Sequence, residues 1–135
     1  MTPAPITTLH HLALTVTDLA VSAAWYERVF SLEKLFEESS DDRRAAIYRM
    51  TGSPLSLALV EHRTTRSARF DATTIGLDHA AFTVASLELM HEWARYLDEC
   101  RVAHSGVIDV PPGAILNFKD PDGIALAMFW DRAGG

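Results

Sequence analysis

The sequence predicts an α+β fold in which two βαβββ modules share one chain of 135 residues. Three observations predict it: an internal repeat, apolar alternation that runs into capped helices, and a strong turn signal ahead of the last strand. The repeat comes first, because periodicity decides architecture. Leu9-His10-His11-Leu12-Ala13-Leu14-Thr15-Val16 matches Leu77-Asp78-His79-Ala80-Ala81-Phe82-Thr83-Val84 at an offset of 68, and the same offset places Leu19 on Leu87 and Trp25 on Trp93. Six identities fall in the fifteen positions 11–25, where ordinary residue usage gives about one by chance.

Each module opens on a strand. Leu12, Leu14 and Val16 alternate with His11, Ala13 and Thr15, and Ala80, Phe82 and Val84 alternate with His79, Ala81 and Thr83. This is the period of a two-faced strand. Asp18 and Ser86 then stand where a side-chain oxygen can accept the free N–H groups of a first helical turn. The predicted helices cover 19–30 and 87–99. Three strands follow in each half, over 33–37, 44–50 and 55–61, then over 103–108, 114–119 and 124–130. Asp120-Pro121-Asp122-Gly123 precedes the last strand; proline sets φ at one corner and glycine accepts a positive φ after it. The domain thus spans 1–135, as module 8–61, a polar connector 62–76 and module 77–130.

Composition narrows the class. A hydrophobic share of 48% and a charged share of 22% are those of a folded domain. A formal net charge of −6 argues against a nucleic-acid surface. No apolar run approaches the ~20 residues of a membrane span, and the first residues lack a secretory pattern, so a soluble cytoplasmic protein is expected. Cys100 is the one cysteine and reads as a structural thiol.

The segments His11 to Leu19, Trp25-Tyr26-Glu27-Arg28-Val29-Phe30, His79 to Val84 and Asp120-Pro121-Asp122-Gly123 together resemble the vicinal oxygen chelate superfamily. That family holds glyoxalase I, fosfomycin-modifying enzymes, extradiol dioxygenases and bleomycin-resistance proteins. The resemblance covers about 8–130. It implies sheets that roll into a cleft, two modules closing a cavity, and a homodimer with a self-complementary interface. It also implies metal ligands at the histidines opening each half, His11 and His79, and at a carboxylate four residues beyond the glycine of the turn. That position holds Ala127. The matching position of the first half, found by aligning Leu55-Ser56-Leu57-Ala58-Leu59 with Ile124-Ala125-Leu126-Ala127-Met128, holds Ala58.

A mononuclear catalytic metal generally takes three protein ligands and keeps an open position. A methyl group cannot ligate. Glu61 lies an odd step from Ala58 and so points to the other face, and Asp131 is displaced about 13 Å along the strand from Ala127. His11 and His79 therefore read as metal ligands only if a third donor comes from elsewhere. Otherwise they line the cavity, or one of them acts as a metal-free general base. His10, His62, His91 and His104 read as surface residues.

Strand parity puts Ala13, Thr15, Ser56, Ala58, Val60, Ala81, Thr83, Ala125, Ala127 and Phe129 on the face of the two histidines. Tyr48 and Asn117 are assigned to that face as polar anchors. Small residues there and bulky ones beneath the helices predict an open apolar hollow. The expected function is binding of an apolar or planar small molecule, an antibiotic or a metabolite, as the resemblance to bleomycin-resistance proteins implies. No cofactor is expected. The alternative is a lyase, isomerase or dioxygenase using Fe, Zn, Ni or Mn at His11 and His79. The negative charge favours neutral or cationic ligands at long range.

Overall fold

A computed structural model describes residues 1–65 and 69–134. The chain divides into two compact units, Met1–Arg66 and Ser67–Gly135, and each has the βαβββ order predicted from its sequence. The first unit contains β1 (His11–Thr15), α1 (Leu19–Val29), β2 (Leu32–Ser39), β3 (Arg43–Met50) and β4 (Ser56–His62). The second contains β5 (Ala80–Thr83), α2 (Leu87–Glu99), β6 (His104–Val110), β7 (Gly113–Lys119) and β8 (Ala125–Asp131). Residues 66–68 of the expected connector lie outside the described residues.

Each unit forms one mixed sheet of four strands, ordered β1-β4-β3-β2 and β5-β8-β7-β6. The first strand of each unit runs parallel to the last, and the remaining pairs are antiparallel. Parallel pairing needs a crossover, and the single helix supplies it.

The helices start where their caps sit. The Asp18 carboxylate accepts from the Val21 N–H at 3.2 Å, and Ser86 Oγ accepts from the Leu89 N–H at 3.2 Å. The two ends differ. Phe30 leaves α1 in an extended conformation. After α2, Arg101 takes a left-handed φ of 59°. The Val102 N–H then reaches the Leu97 carbonyl and the Arg101 N–H reaches that of Asp98, which together close off two otherwise free carbonyls.

Each helix covers one sheet face. Leu14, Val16, Tyr26, Val29, Tyr48, Leu57 and Leu59 form the first core, and Met90, Leu97, Leu116, Phe118, Leu126 and Met128 the second. Complete burial of one such aliphatic side chain contributes about 1.5–3 kcal/mol. The Asp120 turn is held internally: its Oδ1 accepts from the N–H groups of Asp122 at 2.9 Å and Ile124 at 2.8 Å. Gly123 takes the φ of +82° that this turn requires.

Glu61 does stand on the helix face. Its Oε1 accepts from the Leu19 N–H at 3.0 Å, at the first turn of α1, and its Oε2 takes Arg44 Nε at 3.0 Å and Nη2 at 2.5 Å. The Arg44 hydrogen bond, then the Leu19 amide, hold the Glu61 carboxyl below its ordinary range. A depressed carboxyl stabilises the fold fully above its ordinary value of 4.5 and loses that contribution as the pH falls through the lower folded value. Arg44→Gln should therefore flatten the loss of urea stability as the pH falls below 4.5. An unchanged acid slope would show that Glu61 is not coupled to folding.

His104 departs from its reading as a surface histidine. Its Nδ1 accepts from the Gly106 N–H at 2.9 Å, and its Nε2 lies 2.7 Å from the Asp98 carboxylate. It joins the start of β6 to the end of α2, with its side chain only 13% exposed.

Candidate functional site: the helix-free sheet faces

Backbone register places the candidate residues in rows across each sheet, with strands about 4.8 Å apart. In the first unit, His11 stands level with Ser56, Ala13 with Ala58 and Thr15 with Val60. The rows continue onto β3 as Arg49, Ile47 and Ala45, and onto β2 as Glu33, Phe36 and Glu38. Three rows result: a polar one (His11, Ser56, Arg49, Glu33), an apolar one (Ala13, Ala58, Ile47, Phe36) and a mixed one (Thr15, Val60, Ala45, Glu38). His11, Ala13, Thr15, Arg49 and Phe36 are exposed, and Ala58 and Ile47 are half-buried.

The second unit repeats the plan. Ala81 pairs with Ala127 and Ala127 with Asn117; Thr83 pairs with Phe129, Phe129 with Ile115 and Ile115 with Ile108. His79 lies one residue before β5 and, by alternation, shares the face of Ala81 and Thr83. Asn117, Ala81 and Thr83 are exposed and Phe129 is half-buried. Ala127 is different. At 1% exposed it presents almost no surface, so Asn117 and Ala81 carry the contact surface of that row.

The histidines have ordered neighbours. His79 Nδ1 lies 2.7 Å from Asp78 Oδ1. With that nitrogen protonated, the carboxylate fixes the tautomer and leaves Nε2 as the acceptor. The equivalent neighbour of His11 is His10. Their Nδ1 atoms are 2.9 Å apart, with the rings edge to face at 5.2 Å, so one imidazole donates and the other accepts.

Tyr48 does not join this face. It is 0% exposed, level with Leu57, and its hydroxyl donates to Glu27 Oε1 on α1 at 2.7 Å. Burial first, then Glu27, pushes the phenol well above its ordinary value. The reason lies in one residue of loop. The last strands of the two modules align at an offset of 69, which carries Asn117 onto Tyr48. Between the paired residues Arg49 and Ser56 lie the six residues 50–55, whereas between Lys119 and Ala125 lie the five residues 120–124. The extra residue shifts the third strand by one, and a one-residue shift exchanges its faces. The true counterpart of Asn117 is Ile47. Tyr48→Phe should lower stability by about 1 kcal/mol through the lost hydrogen bond while leaving ligand affinity unchanged. A change in affinity with stability intact would put Tyr48 back in the site.

The donors present do not fit the metal that such a fold can carry. The positions beside Ala13 and Ala81, where further ligands are implied, hold the methyl groups of Ala58 and Ala127. Glu61 is turned to the helix, and Asp131 accepts from the Ala133 N–H at 2.9 Å. Glu33 and Glu38 share the face of His11 but stand three strands away. Among the described residues, no three His, Cys, Asp or Glu side chains are grouped so as to hold a metal ion.

Comparison with known proteins agrees with the fold of two βαβββ units. The profile of the Glyoxalase/Bleomycin resistance protein/Dioxygenase superfamily matches residues 8–128. A glyoxylase/bleomycin resistance protein/dioxygenase domain from Frankia sp. EAN1pec is 32% identical, with a TM-score of 0.87 over 95% of this chain and 100% of its own. TnmS3, an antibiotic binding protein from Streptomyces sp. CB03234, has a TM-score of 0.72 at 19% identity, covering 96% and 99%. A mutant of the fosfomycin resistance protein FosX from Listeria monocytogenes, in complex with Mn(II), has a TM-score of 0.66 at 20% identity, covering 92% and 90%. No significant match is found among curated protein sequences.

Proposed function

Because this chain belongs to the Glyoxalase/Bleomycin resistance protein/Dioxygenase superfamily, we propose that it binds a small apolar or planar molecule on its helix-free sheet faces without a tightly held catalytic metal. The observation that carries the reading is the pair of alanines, Ala58 and Ala127, at positions where the family resemblance implies metal donors. The fold alone decides nothing, since an antibiotic binder and a Mn(II)-complexed resistance protein both share it. The contact surface proposed is His11, Ala13, Thr15, Ala58, Ile47 and Phe36 in the first unit. In the second it is His79, Ala81, Thr83, Asn117 and Phe129. A homodimer is part of the same proposal. Among the described residues, no helix is long and apolar enough to cross a membrane.

The neutral fluorophore N-phenyl-1-naphthylamine tests the reading. Saturable binding that persists after exhaustive treatment with EDTA is expected. Absence of binding, or its loss with the chelator, would overturn the proposal.

The Asp78 contact favours a second reading, in which His79 Nε2 accepts a proton from a bound substrate and Asp78 orients the ring. Any turnover found for the protein should then vanish in His79→Ala. Turnover that survives His79→Ala excludes this reading.

A further inference from the structure

We propose that the ligand is an amphipathic organic anion, whose acidic group is received by Arg49 in the polar row of the first unit. The inference rests on the binding function proposed above and specifies its ligand class. Although the chain carries a net charge of −6, the local arrangement on this face differs. Arg49 projects from β3 opposite Ser56, which stands level with His11 on β1. An exposed guanidinium and an exposed imidazole thus flank the buried Ser56 in one row, and both can donate hydrogen bonds to an oxyanion. The neighbouring arginines are already engaged: Arg43 with Glu38 at 3.6 Å, and Arg44 with Glu61. Arg49 is in no ion pair among the described residues, although Glu33 stands beside it on β2.

The adjacent row supplies the other half of the ligand. Ala13, Ala58, Ile47 and Phe36 run parallel to the polar row, one side-chain step away on the same face. Phe36 is 54% exposed, which is unusual for an aromatic ring without something to cover it. A flat apolar body laid along this row would put an acidic substituent beside Arg49.

The second unit reproduces the charge. Lys119 pairs with Ala125, in the row that begins at His79, and it too is exposed without an ion pair among the described residues. A cation on the third strand, level with the histidine of the first, is therefore a feature of both modules. The apolar row beside it is interrupted by Asn117 in the second unit, and this assigns the anion to the first.

Two dyes separate the head group from the body. 8-Anilinonaphthalene-1-sulfonate and N-phenyl-1-naphthylamine share the same aromatic frame, and only the first carries an anion. Titration should show the sulfonate binding at least about fivefold more tightly, and Arg49→Gln should remove that advantage while leaving the neutral dye unchanged. Glu33→Gln should tighten the sulfonate alone. Equal affinities for both dyes, unaltered in Arg49→Gln, would overturn this inference and leave the binding function standing. Failure of both dyes to bind would instead remove the binding function itself. A sulfonate preference lost in Lys119→Gln but kept in Arg49→Gln would overturn the assignment to the first unit.

Discussion

Replacing Ile47 by glutamate is expected to weaken binding of the neutral dye by at least about tenfold, because an apolar ligand would then have to desolvate a carboxylate. Ile47 is level with Ala58 on one side and Phe36 on the other, so it stands at the centre of the apolar row. It is half-buried, and the charged group can reach water in the free protein, so the fold should survive. The paired substitution Tyr48→Phe, one residue away on the opposite face, should do the reverse. Fluorescence titration of both variants, with thermal unfolding as the check on folding, decides the matter. Undiminished binding in Ile47→Glu would mean that the ligand lies elsewhere.

Gly113→Ala should be the most damaging single methyl group in the second unit. An added Cβ would sit 1.8 Å from the Trp130 carbonyl oxygen and 2.9 Å from its carbon, with the Arg132 nitrogen at 3.1 Å. These are backbone atoms of the facing strand and of the residue just beyond its end, and they cannot rotate away. Gly113 pairs with Asp131 where β7 begins, so relief requires the two strands to separate there. A loss of about 3 kcal/mol is expected, at the upper end of overpacking effects. Urea denaturation measures it. A loss below about 0.5 kcal/mol, the range of an ordinary surface change, would mean that the strands do not approach so closely.

Much of the architecture was legible because it rests on local chemistry. The Asp18 and Ser86 caps and the Asp120 turn are side chains acting on their own backbone within four residues. The duplication is written in six identities between positions 11 and 25. Face assignments on the first and last strands of each module followed from alternation and needed no knowledge of pairing. The third strand was different. Its faces depend on a loop length, and one residue more in 50–55 than in 120–124 sent Tyr48 to the helix and brought Ile47 onto the helix-free face. Counting the loops against each other would have exposed the shift.

Arg49 and Phe36 were missed for the same reason: neither belongs to a motif, and only strand order makes them neighbours of His11 and Ala58. His104 shows a further limit. Its partners, Asp98 and Gly106, flank it in sequence, but the bond to Asp98 depends on how α2 turns into β6 through the left-handed Arg101. The near-complete burial of Ala127 was not legible either, since alternation gives a direction and not the packing around it.

The proposed metal-free binding rests on Ala58 and Ala127. Elemental analysis of the purified protein, after dialysis and alongside dye binding, tests this most directly. Full binding capacity with no stoichiometric Fe, Zn, Ni or Mn is expected. One equivalent of any of these metals per chain, lost together with binding when His11 and His79 are replaced by alanine, would contradict it.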